Sequence, residues 1–302
     1  MPENTDRILR AELSGSMVRV MLIDNTNMAA EAMSIHEMSH VAAAASGRIM
    51  AATSMISAML KESGSSVTVT FSGNGPIGKI QCVGAEGYCR IAMDNPAAEL
   101  PLRSNGKLPV SDAVGKTGKL SVVKDIGLKT PYIGQCELVS GEIAEDFAMY
   151  FTVSEQQPSL VALGVLVAEN CVIKSGGIIV QPLPGCPDGV IEQLELRSQL
   201  FSQISRELAE YTLEELLENS FRGLEPKVLG TQPVGYRCGC TRERMERALV
   251  SLGRKELDEM IAERKDIDMA CHFCRRLCHF TPSELQKLRE YAVKKEDSES
   301  KG

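Results

Sequence analysis

Apolar and polar residues alternate with two different periods along this chain of 302 residues, and each change of period marks an element. Apolar runs of β-forming character at 17–23 (MVRVMLI), 67–71 (VTVTF), 78–83 (GKIQCV) and 119–123 (KLSVV) predict strands. Between the first two lies a long Ala- and Met-rich stretch, about 28–61, that predicts helix. Gly73-Asn74-Gly75-Pro76 and residues 115–118 are turn punctuation. A helical patch at 140–153 and apolar strands at 159–167 and 177–181 complete the region. Strands with interspersed helices, several joined by short turns, predict an N-terminal α+β domain over 1–180.

The pattern changes after the Pro-rich segment 182–187. From Asp188 to Arg222 there are eight acidic and three basic residues, with Ile191, Leu194, Phe201, Ile204 and Leu208 at helical spacing. Thr212 and Glu215 form a capping box before Leu216 and Leu217. Residues 181–234 therefore predict an acidic helical linker whose single apolar stripe must lie on something, the first domain being the natural surface. Residues 235–292 form a small C-terminal module with helices at 242–251 and 254–264. Thr281-Pro282-Ser283-Glu284 starts a last helix that runs into a polar tail, 293–302.

Composition narrows the class. Aromatics are 4% of the chain and Trp is absent, so the core must be built from Ala, Val, Ile, Leu and Met. A net charge of −7 disfavours a general nucleic-acid or anionic-membrane binder, and neither partner is expected. Residues 41–60 come nearest to a membrane span, but Arg48 stands inside and Ala and Ser add little, so a core helix is expected. The first fifteen residues hold no apolar segment of the secretory kind. Ten cysteines without such a signal point to a reducing, cytoplasmic setting where thiols serve metal or redox chemistry.

Four cysteines form two close pairs: Cys238-Gly239-Cys240 and, thirty residues later, Cys271-His272-Phe273-Cys274. Two thiol pairs flanking a foldable segment suit one Zn²⁺, bound tetrahedrally by four thiolates at about 2.3 Å. The same sulfurs could instead close two disulfides. Spacing alone leaves open whether such a zinc is structural, catalytic or a switch. The module has few large apolar groups, chiefly Leu249, Leu252, Leu257, Met260, Ile261, Phe273, Phe280 and Leu285. So small a core is marginal unless stapled, and zinc supplies roughly 10–16 kcal/mol of apparent binding free energy. Arg237, Arg242, Arg275 and Arg276 flank the thiols, and positive charge favours the oxidant-sensitive thiolate. A structural zinc ribbon with protected thiols and a thiol–disulfide oxidoreductase are alternative readings of the same residues.

The run Tyr236-Arg237-Cys238-Gly239-Cys240-Thr241-Arg242-Glu243-Arg244, with Ala248-Leu249, Leu252-Gly253 and Cys271-His272-Phe273-Cys274, resembles the 33 kDa chaperonin family of redox-regulated heat-shock holdases. Gly47-Arg48, Gly73-Asn74-Gly75-Pro76 and Gly127-Leu128-Lys129-Thr130-Pro131-Tyr132 fit the same family. So do Gly141-Glu142-Ile143-Ala144-Glu145-Asp146, Tyr150-Phe151 and Ser154-Glu155-Gln156, and the resemblance covers nearly the whole chain. It implies a chaperone rather than an enzyme, with Cys238, Cys240, Cys271 and Cys274 ligating one zinc in an inactive, reduced form. It further implies that peroxide or hypochlorous acid forms the disulfides Cys238–Cys240 and Cys271–Cys274. Zinc then leaves, the module unfolds, the linker loosens, and the protein, often as a homodimer, holds unfolding proteins without ATP. No Walker or GxGxxG pattern is present in the sequence. Cys278 departs from the family pattern and is expected to be a partly buried neutral residue, although it could compete for zinc or mispair.

Other chemistry-bearing residues are expected to be structural. His36-Glu37-Met38-Ser39-His40 matches H-E-x-x-H, but the other two histidines, His272 and His279, belong to the Cys module. A surface pair on an amphipathic helix is expected there. Cys82, Cys89, Cys136, Cys171 and Cys186 lack ligand spacing and are expected to be small packed residues. Met28, Met33, Met38, Met50, Met55 and Met59 are expected to pack the core rather than to form an adaptable client surface.

Overall fold

In the computed structural model, which describes residues 6–169, 171–263 and 265–299, the alternating segments pair into two large sheets. The start of the chain, and the end of the polar tail expected at 293–302, lie outside the described residues. The chain divides into two compact units, Met1–Arg237 and Cys238–Gly302.

The first unit begins with β1 (Arg7–Leu13), β2 (Val18–Asp24), α1 (Thr26–His36) and α2 (His40–Met59). It continues with β3 (Ser66–Gly73), β4 (Lys79–Ala85), β5 (Tyr88–Met93), α3 (Val110–Val114), β6 (Gly118–Asp125) and β7 (Tyr132–Glu137). Then come α4 (Ala144–Val153), β8 (Leu160–Ala168) and β9 (Cys171–Pro182). The acidic segment forms α5 (Asp188–Arg197), a 3-10 helix (Ser198–Gln203), α6 (Ile204–Glu210) and α7 (Leu213–Ser220). Strands β10 (Lys227–Pro233) and β11 (Gly235–Tyr236) close the unit. One sheet has the order β10-β1-β2-β9-β8 and the other β11-β5-β4-β3-β6-β7. All pairs are antiparallel except β11 with β5.

Helix α2 packs on β8 and β9 of one sheet and on β3, β4 and β5 of the other. Its small residues permit this close approach. A Cβ on Gly47 would stand 2.8 Å from both Ser175 Oγ and Val165 Cγ2. The window that resembles a membrane span is 89% buried within the protein, so α2 is the core helix the sequence predicts. Met28, Met33, Met38, Met50 and Met55 are buried in this core, as expected.

The expected single helix over 28–61 is two helices. Glu37 adopts φ 50° and ends α1, with Met38 N donating to Met33 O at 3.0 Å. Ser39 then caps α2, its hydroxyl accepting from Ala42 N. Strand β1 escapes the sequence reading because its alternation is short and charged: Leu9, Ala11 and Leu13 are buried, while Arg10 between them is exposed and Glu12 half-buried. Ile8 joins the cluster around α2, while its neighbour Leu9 joins the one under the acidic helices. Strand β10, by contrast, is exposed along most of its length, and its polar sequence gives no strand signal.

The acidic helices lie on the other face of the first sheet. Leu194, Phe201, Ile204 and Leu208 of the expected stripe are buried against Leu9, Val20, Leu22 and Ile178. Ile191 stays partly exposed, and Leu196 and Leu200 face solvent at 80% and 54% exposure. A glycine notch receives α6: a Cβ on Gly164 would meet Ser205 Cβ at 2.7 Å, and one on Gly176 would meet Leu208 Cδ1 at 2.6 Å. The Thr212–Glu215 capping box forms as expected. Arg7 grips Glu214 through two bonds of 2.8 and 2.6 Å.

The second unit holds α8 (Arg242–Ser251), α9 (Arg254–Ala262), a hairpin of β12 (Ile267–Ala270) and β13 (Leu277–Phe280), and α10 (Pro282–Glu299).

Candidate metal centre

Each thiol pair is presented by a tight local structure. Cys238 and Cys240 precede α8, whose N-cap Thr241 accepts from Arg244 N, and the Arg244 guanidinium donates to Gly239 O at 2.9 Å. Cys271 and Cys274 sit in the turn of the β12–β13 hairpin. Cys271 N donates to Arg276 O, and Arg275 N to Cys271 O, both at 2.9 Å. Arg275 takes φ 56°, the left-handed conformation that closes the turn.

These turns bring four sulfurs together, all within 4.8 Å of one another. Cys238 Sγ stands 3.7 Å from Cys271 Sγ, and Cys240 Sγ 3.3 Å from Cys274 Sγ. Four sulfurs around one ion at about 2.3 Å would stand about 3.8 Å apart, so the cluster has the size and donor set of a tetrathiolate zinc site. Among the described residues it is the only such group of metal-binding side chains. Cys278 lies outside it, on β13 opposite Met269.

Local electrostatics differ between the pairs. Burial, together with the neighbouring thiols, pushes Cys238 and Cys240 above the ordinary thiol range. Burial also opposes ionisation of Cys271. The backbone N–H groups of Cys274 and Phe273, with the Cys274 and Cys238 thiols, outweigh it and hold Cys271 below that range. Two of the flanking arginines are otherwise engaged. Arg242 binds Glu284 at 2.7 Å and Glu246 at 3.3 Å and lies over the Phe280 ring, while Arg237 lies over Tyr88. The groups that most favour the Cys271 thiolate are backbone amides.

Among the described side chains, the buried core of this unit consists of Met245, Leu249, Leu257, Cys271, Phe280 and Leu285. It is thinner than the sequence suggests. Met260, Ile261 and Phe273 are only partly buried, and Leu252 is 48% exposed. Met245, one turn before Leu249, is the core residue the sequence reading omitted. The capping box at Thr281 forms, with Thr281 N donating to the Glu284 carboxylate at 2.9 Å.

The H-E-x-x-H match does not make a metal site. Glu37 separates the two helices, so His36 ends α1 and His40 begins α2. His36 is buried, not at the surface as expected, with Nε2 3.2 Å from the Tyr236 hydroxyl, and His40 Nε2 meets the Glu169 carbonyl. Cys82, Cys89 and Cys136 are buried as expected, whereas Cys171 is exposed and Cys186 half-exposed. The sequence reading missed the clamp formed by Tyr236, whose hydroxyl donates to Ile91 O at 3.2 Å. Its position two residues before Cys238 was the available signal.

A two-sheet α+β unit followed by a small tetrathiol module defines a recognisable class. The sequence model of the family described as "Hsp33 protein" matches residues 6–281. A "33 kDa chaperonin" from Clostridium perfringens is 42% identical over 291 residues, spanning 95% of this chain and 92% of that protein. One from Alkaliphilus metalliredigens is 42% identical over 287 residues, spanning 94% and 98%. The crystal structure of the 33 kDa chaperonin, or heat shock protein 33 homolog, of Thermotoga maritima superposes with a TM-score of 0.88 at 34% identity, covering 96% of this chain and 99% of that one. The chain belongs to the Hsp33 family.

Proposed function

We propose that this protein is a redox-regulated, ATP-independent holdase chaperone, and that the four-cysteine cluster is its trigger. The observation that carries this reading is the pairing of four convergent sulfurs with so thin a core. In the reduced resting form Cys238, Cys240, Cys271 and Cys274 hold one zinc. The ion, when bound, keeps four thiolates together and supplies the cohesion the apolar core lacks.

Oxidation removes that cohesion. Two thiols and one peroxide give one S–S bond and two waters, and each event withdraws two thiolate donors. In the pairing the family resemblance implies, the events form Cys238–Cys240 and Cys271–Cys274. The β12–β13 hairpin and α8 then lose their common tie. The acidic connector, next in the chain, loosens in turn, and its stripe of Leu194, Phe201, Ile204 and Leu208 becomes available beside the already exposed Leu196 and Leu200. Clients are unfolded or partly unfolded proteins, held by a homodimer in the cytoplasm. Nucleic acid and membranes are not partners, in keeping with the net charge of −7. No turnover of substrate is involved.

The test compares reduced and peroxide-treated protein in suppressing aggregation of a heat-denatured reporter. Protection only after oxidation, with one zinc lost and four thiols consumed, is the expected result. Equal protection by both forms rejects the switch, and insulin-reductase turnover would replace a holdase by an oxidoreductase.

A further inference from the structure

A second thiol pair lies in the first unit. Strands β4 and β5 pair so that Gly84 faces Cys89 and Cys82 faces Ile91, which makes Cys82 and Cys89 diagonal neighbours on one face of the sheet. Gly84 provides the space between them, since a Cβ there would lie 3.2 Å from Cys89 Sγ. Cys89 Sγ lies 3.1 Å from Ser54 Oγ and 4.0 Å from the Met50 carbonyl. Both cysteines are fully shielded, at 0% and 1% exposure.

Their location connects them to the root of the tetrathiol module. The Cys89 carbonyl accepts from Arg237 N at 2.9 Å, and β11 pairs with Tyr88 and Cys89. Among the described residues, this two-residue strand is the one that pairs with the outer edge of β5. It is held by Tyr236, whose hydroxyl donates to Ile91 O and meets His36 Nε2. Once β11 detaches, β5 becomes the edge strand, and fraying admits a small oxidant.

We propose that Cys82 and Cys89 are a concealed redox site, a dithiol that closes to a β4–β5 disulfide when β11 detaches in the presence of peroxide. Ser54 Oγ lies close enough to the Cys89 sulfur to donate to its thiolate, so Cys89 is the attacking group. Its sulfur cleaves the peroxide O–O bond, becomes a sulfenic acid and releases one water. The Cys82 sulfur then attacks that sulfur, the S–S bond forms, and a second water leaves; two thiols are oxidised and one peroxide reduced. The bond ties β5 to β4 where the chain departs for the module, so that unravelling stops at Arg237.

The test is peptide mapping of the full-length protein without reduction, after peroxide at ambient temperature and just below the first thermal transition. The Cys82–Cys89 linked peptide is expected in the warmed sample only, after the Cys238, Cys240, Cys271 and Cys274 thiols are spent. Tyr236→Phe should accelerate its formation about fivefold, the effect of one lost hydrogen bond on the open population. A circular dichroism melt checks that the variant is folded, and wild-type mapping stands if it is not. Recovery of both cysteines as free thiols, or linkage of either to another cysteine, overturns the proposal. Peptides carrying the four module cysteines report separately, so failure of the trigger and failure of this site are distinguishable.

Discussion

The two units stabilise themselves by opposite means. In the first, α2 buries sixteen of its twenty residues between two sheets. In the second, helices of ten and nine residues, α8 and α9, bury only Met245, Leu249 and Leu257 among them. Where apolar burial suffices, cysteines such as Cys82 and Cys136 are part of the packing. Where it does not, four sulfurs occupy the place of a core. The difference matters because a two-electron oxidant has no purchase on aliphatic packing but converts thiolate donors directly. In the module oxidation would remove a tie, and at Cys82–Cys89 it would add one.

The largest test of this contrast is metal removal. Stripping the reduced protein with a high-affinity chelator should unfold Cys238–Gly302 and leave Met1–Arg237 folded, read by amide hydrogen exchange. The binding free energy at stake is roughly 10–16 kcal/mol, more than a module of this size could replace. A Cys271→Ser variant should behave like the stripped protein. Retained exchange protection in α8 and the β12–β13 hairpin would break the contrast.

Truncating one ring in each unit sharpens it. Phe280 is fully buried beneath the Arg242 guanidinium, and Phe71 is fully buried edge-on to Phe147. Phe→Ala costs about 3–5 kcal/mol at either site. Phe280→Ala should therefore melt the module even with zinc present, whereas Phe71→Ala should lower the first unit's transition without abolishing it. Equal responses in calorimetry would mean that the module holds more apolar cohesion than the six residues buried among those described suggest. A smaller effect is expected at the glycine notch. Gly164→Ala forces a Cβ to 2.7 Å from Ser205, an overpacking cost of about 1–3 kcal/mol that falls on α6. Part of the holdase activity should then appear without oxidant, with the zinc still bound.

The sequence discloses the module more fully than the larger unit. The spacing of Cys238, Cys240, Cys271 and Cys274 specifies a cluster because thiol chemistry is local and two turns suffice to assemble it. The strands β3, β4 and β6 are legible from their alternation, β2 from its apolar run, and the connector stripe from its helical period. What stays hidden depends on partners distant in sequence. Strand β1 alternates only over Leu9, Ala11 and Leu13, with the charged Arg10 and Glu12 between them, and β10 is a strand only because β1 pairs with it. The break at Glu37 interrupts an otherwise helical pattern without a Gly or Pro to announce it. The Cys82–Cys89 proximity becomes visible only once the hairpin around Glu86-Gly87 fixes the register.

The smallest effect concerns how the hairpin carrying Cys271 and Cys274 responds to pH. His279 on β13 presents Nδ1 to Asp268 at 3.0 Å and Nε2 to Asp266 at 3.3 Å. Both ring nitrogens can donate only in the imidazolium form. The hydrogen bond to Asp268, followed by the charge of Asp266, raises its pKa above the ordinary histidine value despite slight burial. Arg242, whose guanidinium holds the His279 carbonyl, adds an opposing positive charge on the backbone side. A raised folded-state value means the stabilising contribution is complete below the unfolded pKa of about 6.5 and fades as pH rises through the folded one. The zinc-bound module should therefore lose more thermal stability between about pH 6 and pH 8 in the wild type than in His279→Gln. The two should converge at the alkaline end and in high salt, because the pair is solvent-exposed and screened. Parallel pH profiles for the two proteins would show that His279 contributes nothing to the hairpin, and would leave the four sulfurs as its main tie.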